Sequence, residues 1–206
     1  MWCAGRWYAA PAQRVVIAMG PWSGRAAQWL PLPPVWGLKG HSITLRPTTP
    51  VPAQALFVNY LTSSGEHLEP EVYPRPDGEV YLCGLSEQVA LPDSPDLVQP
   101  RPEAGPFLQH IAETLSSSFT GLVPQRVQAC YRPVTDDGLP LLGHVPKVAG
   151  AYIATGHSCW GILNAPASGL AMAELLVDGQ ARSVDLRPFD PQRAMPQTLV
   201  QPLQHL

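Results

Sequence analysis

The chain is poor in charge. Asp, Glu, Lys and Arg make up 14% of its 206 residues, and the formal net charge is −3. That balance offers no basic footprint for a phosphate backbone and no polybasic surface for an acidic membrane. Cysteine is scarce too: Cys3, Cys83, Cys130 and Cys159 stand far apart with no C-x-x-C pair, so neither a disulfide framework nor a metal site is expected. The setting this implies is reducing, hence cytoplasmic. Residues 1–12 lack an apolar core of signal length, and the run Val15 to Met19 is too short to cross a bilayer. No transmembrane span is expected. The phosphate-cradling fingerprint G-x-G-x-x-G is likewise missing.

What the chain has is proline and apolar residues. Its 25 prolines predict loop-rich connections and edge strands, and the 45% hydrophobic fraction is enough for a sizeable core in one large or two small domains. Arg14 to Ala18 reads as a buried strand, and Ser23 as the N-cap of a helix from Gly24 to Leu30 that Pro31 ends. The prolines at 31–34 mark a crossing between domains. Beyond them Gly40 to Arg46, Ala55 to Leu61, Glu71 to Tyr73 and Glu79 to Cys83 read as antiparallel strands, the last two joined by the turn Pro76-Asp77-Gly78. A proline-rich loop, Leu91 to Pro102, leads into a helix from Gly105 to Phe119, whose Phe107, Leu108, Ile111, Ala112 and Leu115 share one face and should cover the sheet. Val127 to Arg132 returns as a strand that Pro133 ends.

The stretch Tyr152 to Leu176 reads as strand, glycine turn and helix, with Gly156 breaking the strand and a helical pattern from Ser168 to Val177. Such a turn aims free N–H groups and the positive end of a helix dipole at whatever sits above the strand, which suits an anion or an electron-rich ring edge. The run Gly156-His157-Ser158-Cys159-Trp160 resembles a hydrolase nucleophile elbow, but Trp160 stands where that turn needs a small residue, and His205 in the terminal segment is a poor partner. Asp178-Gly179 supplies a helix stop. Residues 194–206 are expected to be poorly ordered.

Several segments in order carry a family resemblance. Arg14 to Ser23 (RVVIAMGPWS), Gly37-Leu38-Lys39-Gly40, Tyr131 to Gly143 (YRPVTDDGLPLLG), Gly156-His157, Gly161 to Pro166 (GILNAP) and Asp185 to Arg193 resemble the D-amino-acid oxidase family of FAD-dependent oxidoreductases, the group containing glycine oxidase and sarcosine oxidase. That family opens with a βαβ unit bearing G-x-G-x-x-G, so Met1 is expected not to be the natural start. The fold implied is α+β, derived from α/β. Residues 1–30 would be a remnant of the FAD-binding, glutathione-reductase-like domain, 31–126 an antiparallel substrate domain with one covering helix, 127–181 the C-terminal part of the FAD domain, and 182–206 a tail. Strands 14–18 and 152–155 should lie side by side in one sheet.

The activity implied is oxidation of the C–N bond of an amino acid or secondary amine, with hydride passing to flavin N5 and oxygen as acceptor. No side-chain base is required for this, so no catalytic side chain is assigned. Ala18, Gly20, Trp22, Gly156, His157, Trp160, Gly161 and Ile162 are the implied FAD contacts, with N–H donors at Gly161 and Ile162 stabilising the reduced ring. Gly20 could equally be an ordinary turn, and Trp22, His157 and Trp160 could be packing. Arg132 matches the arginine that grips the substrate carboxylate in glycine oxidase and D-amino-acid oxidase, the alternative being an ion pair with Asp136 or Asp137. Cys130 precedes Thr135 and Asp137 at the spacing of the flavin-tethering cysteine of sarcosine-oxidase relatives; otherwise it is a small buried hydrophobe. Cys159 stands about where glycine oxidase has an arginine, so that substrate contact does not carry over. A catalytically silent fragment or interaction module is the competing reading, and it predicts an exposed apolar face.

Overall fold

The structure is a computed structural model and describes residues 2–3, 6–7 and 10–195. Its contacts fall into two compact units, Met1–Gly37 with Arg132–Leu206, and Leu38–Tyr131. In chain order the main elements are β1 (Val15–Ile17), β2 (Trp36–Leu45), β3 (Leu56–Phe57), β4 (Glu71–Pro74), β5 (Val80–Glu87), α1 (Ala104–Leu115), β6 (Arg126–Val134), β7 (Leu141–His144), β8 (Ala151–Thr155) and α2 (Gly161–Asp178).

The unit Leu38–Tyr131 is built on an antiparallel meander. The sheet order is β6-β2-β5-β4-β3, and β5 pairs antiparallel with both β2 and β4. The turn between β4 and β5 is the expected one: Arg75 N–H donates to the Glu79 carbonyl at 2.7 Å and Gly78 N–H to that of Arg75 at 3.0 Å. Alternation along β5 sends Val80 and Leu82 into a core with Leu108, Ile111 and Ala112 of α1. Helix α1 therefore covers one sheet face, as its spacing predicts. Two expectations fail locally. The segment 55–61 does not form one strand, because only Leu56–Phe57 pairs with β4, while Tyr60–Leu61 pairs with His67–Leu68 in a separate ribbon. Strand β6 does not stop at Pro133 but runs through it to Val134. It is an edge strand, where a residue without an N–H removes no ladder bond.

The other unit holds a three-stranded sheet with β8 in the middle, antiparallel to β7 and parallel to β1. The pairing Tyr152↔Val16 and Ile153↔Ile17 is the neighbourhood expected of the two strands, but β1 is not the buried strand expected: it lies at the sheet edge with Val15 and Val16 exposed. Side chains alternate across this sheet. Leu141 and Ile153 enter a core with Ala26, Leu32, Val35 and Val145, while Leu142 and Tyr152 meet Met172 of α2, with Leu175, Leu186 and Phe189 around them. The prolines at 31–34 thus lie inside this unit, flanked by buried Leu32 and Val35, and are not its border. Ser23 caps nothing: it is the fourth residue of a 3-10 helix, Gly20–Gln28, which begins earlier because Pro21 suits its first turn.

Helix α2 starts at Gly161 rather than Ser168. Its first two turns bury nothing, so no one-sided apolar pattern marks them, and Pro166 argues against a helix when read from sequence. It ends as expected at Gly179, whose φ of 78° lets its N–H reach the Leu175 carbonyl at 3.1 Å. Ser158–Asp178 is long and apolar enough to span a membrane by length and composition only, which does not overturn the expectation of no span. The same test is passed by core helices of water-soluble folds, and Met172 packs this one on Leu142 and Tyr152. In the described part of the expected tail, residues 182–195, Leu186 and Phe189 join that cluster and Pro191 is buried. Of the stretch 194–206 expected to be poorly ordered, Ala194 ends a 3-10 helix, and 196–206 lie outside the described residues.

Candidate functional site

Parallel β1 and β8 point their carboxyl ends the same way, and each runs into a left-handed glycine: Gly20 has φ 55° and Gly156 φ 85°. Thr155 Oγ1 donates to the Gly20 carbonyl at 2.9 Å and ties the two turns together. In open α/β sheets, ligands bind outside the carboxyl ends of adjacent strands. Ala18 is exposed just ahead of Gly20, and Trp22 is half-buried behind it, its N–H donating to the Met19 carbonyl at 3.1 Å. The segments holding Ala18, Gly20 and Trp22 on one side and Gly156 on the other are thereby brought together.

Gly156 admits no side chain. A Cβ there would sit 2.9 Å from the Thr135 methyl and 3.4 Å from Pro140 Cα. After it come His157, a 3-10 turn at Ser158–Trp160, and α2. No side chain caps α2. Trp160, Ile162 and Leu163 are exposed, Ile162 to 94%, so the surface at the helix start is open. The His157 imidazole shares a 2.9 Å hydrogen bond between Nε2 and Ser168 Oγ, and burial pushes its pKa down, which keeps it neutral near pH 7. Ser158 has a positive φ of 51°, as an elbow serine would. The imidazole beside it is committed to Ser168, however, so the hydrolase reading gains no base from His157.

Arg132 is half-buried on edge strand β6, two residues before its end. Of the two carboxylates weighed as its partners, Asp137 is held by Arg193 Nε at 2.8 Å. Cys130 shares the strand with a free, exposed thiol, so the buried-hydrophobe alternative is corrected. Cys159 is also free and exposed. Among the described residues no group of His, Cys, Asp and Glu could hold a metal. Sequence reasoning missed the Arg193–Asp137 pair, because 56 residues separate the partners and no local pattern links them.

Comparison with known proteins settles the fold family. A family model described as FAD dependent oxidoreductase matches residues 3–175. The chain belongs to that family. Glycine oxidase of Geobacillus kaustophilus is 31% identical over 186 residues, covering 86% of this chain and 44% of the relative. The crystal structure of glycine oxidase from that organism superposes with a TM-score of 0.75 at 27% identity, covering 90% of this chain and 46% of the other. The Saccharomyces cerevisiae protein TDA3, named provisionally as an oxidoreductase, is 40% identical over 185 residues, 87% of this chain and 34% of its own length. This chain thus spans between about a third and a half of the length of these relatives.

The family is FAD-dependent, and the ring end of such a cofactor fits the residues present. Two turns free of side chains, Gly20 and Gly156, converge beside an uncapped helix start whose N–H groups would meet the electron-rich edge of the ring. The missing G-x-G-x-x-G leaves the pyrophosphate without that cradle in this chain.

Proposed function

We propose that this chain is the part of an FAD-dependent oxidoreductase that sets the flavin ring against a substrate whose C–N bond is oxidised, an amino acid or a secondary amine. The observation that carries the reading is the convergence of the Gly20 turn, the Gly156 turn and the open start of α2 at the carboxyl ends of two parallel strands. When bound, the flavin supplies a two-electron acceptor, with oxygen as the final oxidant. Gly161 and Ile162 N–H groups hold negative charge at one ring edge, which costs little reorganisation because the helix has already oriented them. His157, neutral, donates or accepts near the same turn without adding charge. Arg132 grips the substrate carboxylate, and its planar fork sets the direction from which the α-carbon is presented. Cys130, with its thiol exposed, is where a covalent flavin tether would form. That Cys83, Cys130 and Cys159 form no disulfide fits a reducing, cytoplasmic setting.

A second reading is supported by exposure. Ile162, Leu163, Leu170 and Val177 leave much of α2 uncovered, with Val177 79% exposed. As an isolated product, the chain would then be a truncated, silent fragment whose α2 face is closed by the remainder of a longer family member. The spectrum of the purified chain incubated with FAD separates the readings. Retained bands at roughly 370 and 450 nm after desalting, as flavins show, support the first reading. A protein that stays colourless shows that this chain alone is no oxidase. If it is active, Arg132→Ala should cost about 2 to 5 kcal/mol in kcat/KM on an amino acid and little on its decarboxylated amine. Equal losses on both would remove Arg132 from the substrate site.

A further inference from the structure

The segment after α2 does more than close a cluster. Arg193 reaches back to the turn at 135–139 and holds the Asp137 carboxylate with two donors, Nε to Oδ2 at 2.8 Å and Nη2 to Oδ1 at 3.1 Å. The same Nη2 donates to the Leu139 carbonyl at 2.8 Å. Leu139 N–H in turn donates to Asp137 Oδ1 at 3.1 Å, and Gly138 N–H to the Thr135 carbonyl at 3.2 Å. Thr135 is buried, and its hydroxyl donates to the Leu139 carbonyl at 2.7 Å. The turn is thus cross-braced, with the guanidinium as its outer brace. Arg193 is itself anchored: Nη1 donates to the Asp190 carbonyl at 3.2 Å, and Asp190 Oδ1 accepts from Gln192 N–H at 2.8 Å.

The inner side of this turn faces Gly156. The Thr135 methyl sits 2.9 Å from where a Gly156 Cβ would be, so Thr135 lines the space directly beside the glycine turn. Leu141, which follows the braced turn, pairs with Thr155, the residue before Gly156. Gly156 leads through His157 into the open start of α2.

Resting on the reading that this start meets a flavin ring, we propose that Arg193 is a positioning residue: through Asp137 and Leu139 it fixes Thr135, and through Thr135 it fixes the Gly156 turn that aims the α2 donors. A carboxylate gripped by two guanidinium donors is directional as well as attractive, which is what a brace requires. Lysine, a point charge on a flexible stem, keeps the attraction and loses the direction.

The test compares the unmodified chain with Arg193→Gln and Arg193→Lys. Amide hydrogen exchange is read first without FAD, in peptides covering 135–144 and 154–160, with 39–45 and 80–87 as internal references. Losing one such brace should speed exchange in both turn peptides about tenfold and leave the references unchanged. The lysine variant should fall between the other two. FAD affinity, read by quenching of flavin fluorescence, should weaken about tenfold in the glutamine variant. Acceleration confined to 185–195 would overturn the proposal. If Arg193→Gln fails to fold, Arg193→Lys decides alone: turn peptides that exchange as in the unmodified chain would overturn it. Braced turns in a chain that never binds FAD would instead overturn the flavin reading and leave the brace standing.

Discussion

Helices α1 and α2 are both apolar, yet they use that character differently. In α1, five of twelve residues are buried, and they follow the 3.6-residue period that places them against Val80 and Leu82. In α2, two of eighteen are buried, and Ile162, Leu163, Leu170 and Val177 are left open. The first helix is explained by its own unit. The second is not explained by packing within its own unit, and the proposed flavin contact at its start is one account of its open surface.

The largest effect that tests this contrast is expected in α1. Leu108 is fully buried, so Leu108→Ala should cost about 2 to 5 kcal/mol in denaturant unfolding. A cost near zero would mean that the core around α1 is not the one described. The next tests the site. Gly156→Ala forces a side chain into a left-handed turn and to within 2.9 Å of Thr135, and should cost about 1 to 3 kcal/mol. Flavin retention should fall with it; unchanged stability and unchanged retention would show that this turn needs no glycine.

A smaller effect depends on pH and belongs to the α1 unit. His41 is buried, shares Nδ1–H with the Leu85 carbonyl at 3.3 Å and accepts Arg101 N–H at Nε2 at 3.2 Å, which fixes one neutral tautomer. Burial lowers its pKa from 6.5. Glu87 lies 3.4 Å from Nε2, with Lys39 and Arg101 bound to the same carboxylate. The Lys39 hydrogen bond holds the Glu87 pKa below its ordinary value, so it stays ionised as His41 begins to titrate. The neutral imidazole therefore contributes stability that is fully present above pH 6.5 and is lost as pH falls toward the lowered value. Protection of the Arg101 amide should weaken over that window, after correction for intrinsic exchange, and His41→Gln should flatten the dependence. A flat profile in the unmodified chain would contradict it.

The smallest stability effect should come from α2 itself. Ile162 is 94% exposed, so Ile162→Ser should change stability by no more than about 0.5 kcal/mol. If that face seeks a partner, the same change should reduce self-association in sedimentation. Loss of folding on Ile162→Ser would mean the residue is buried in solution.

Much of this was legible beforehand because periodicity reports burial. Leu108, Ile111 and Ala112 announced their helix, and the side-by-side placement of β1 and β8 in one sheet, though not its parallel sense, followed from the family resemblance carried by Arg14 to Ser23 and the segments after Tyr131. The first turns of α2 were not legible, since a helix that buries nothing leaves no pattern and Pro166 argues against one. Pro133 misled in the same way, because its tolerance depends on β6 lying at a sheet edge, a property of topology rather than of sequence. The glycines and Arg132 stood out by residue type. The brace from Arg193 did not, because its meaning lies in a contact across 56 residues.

The most direct test of the central claim maps where FAD touches the chain. Amide hydrogen exchange with and without FAD should show protection in 154–163, where the Gly156 turn and the Gly161 and Ile162 donors lie, and none in 39–45 of β2, a strand already buried in its own unit. Binding without protection in 154–163, or protection spread evenly over both segments, would contradict the assignment of the α2 start as the flavin-facing site.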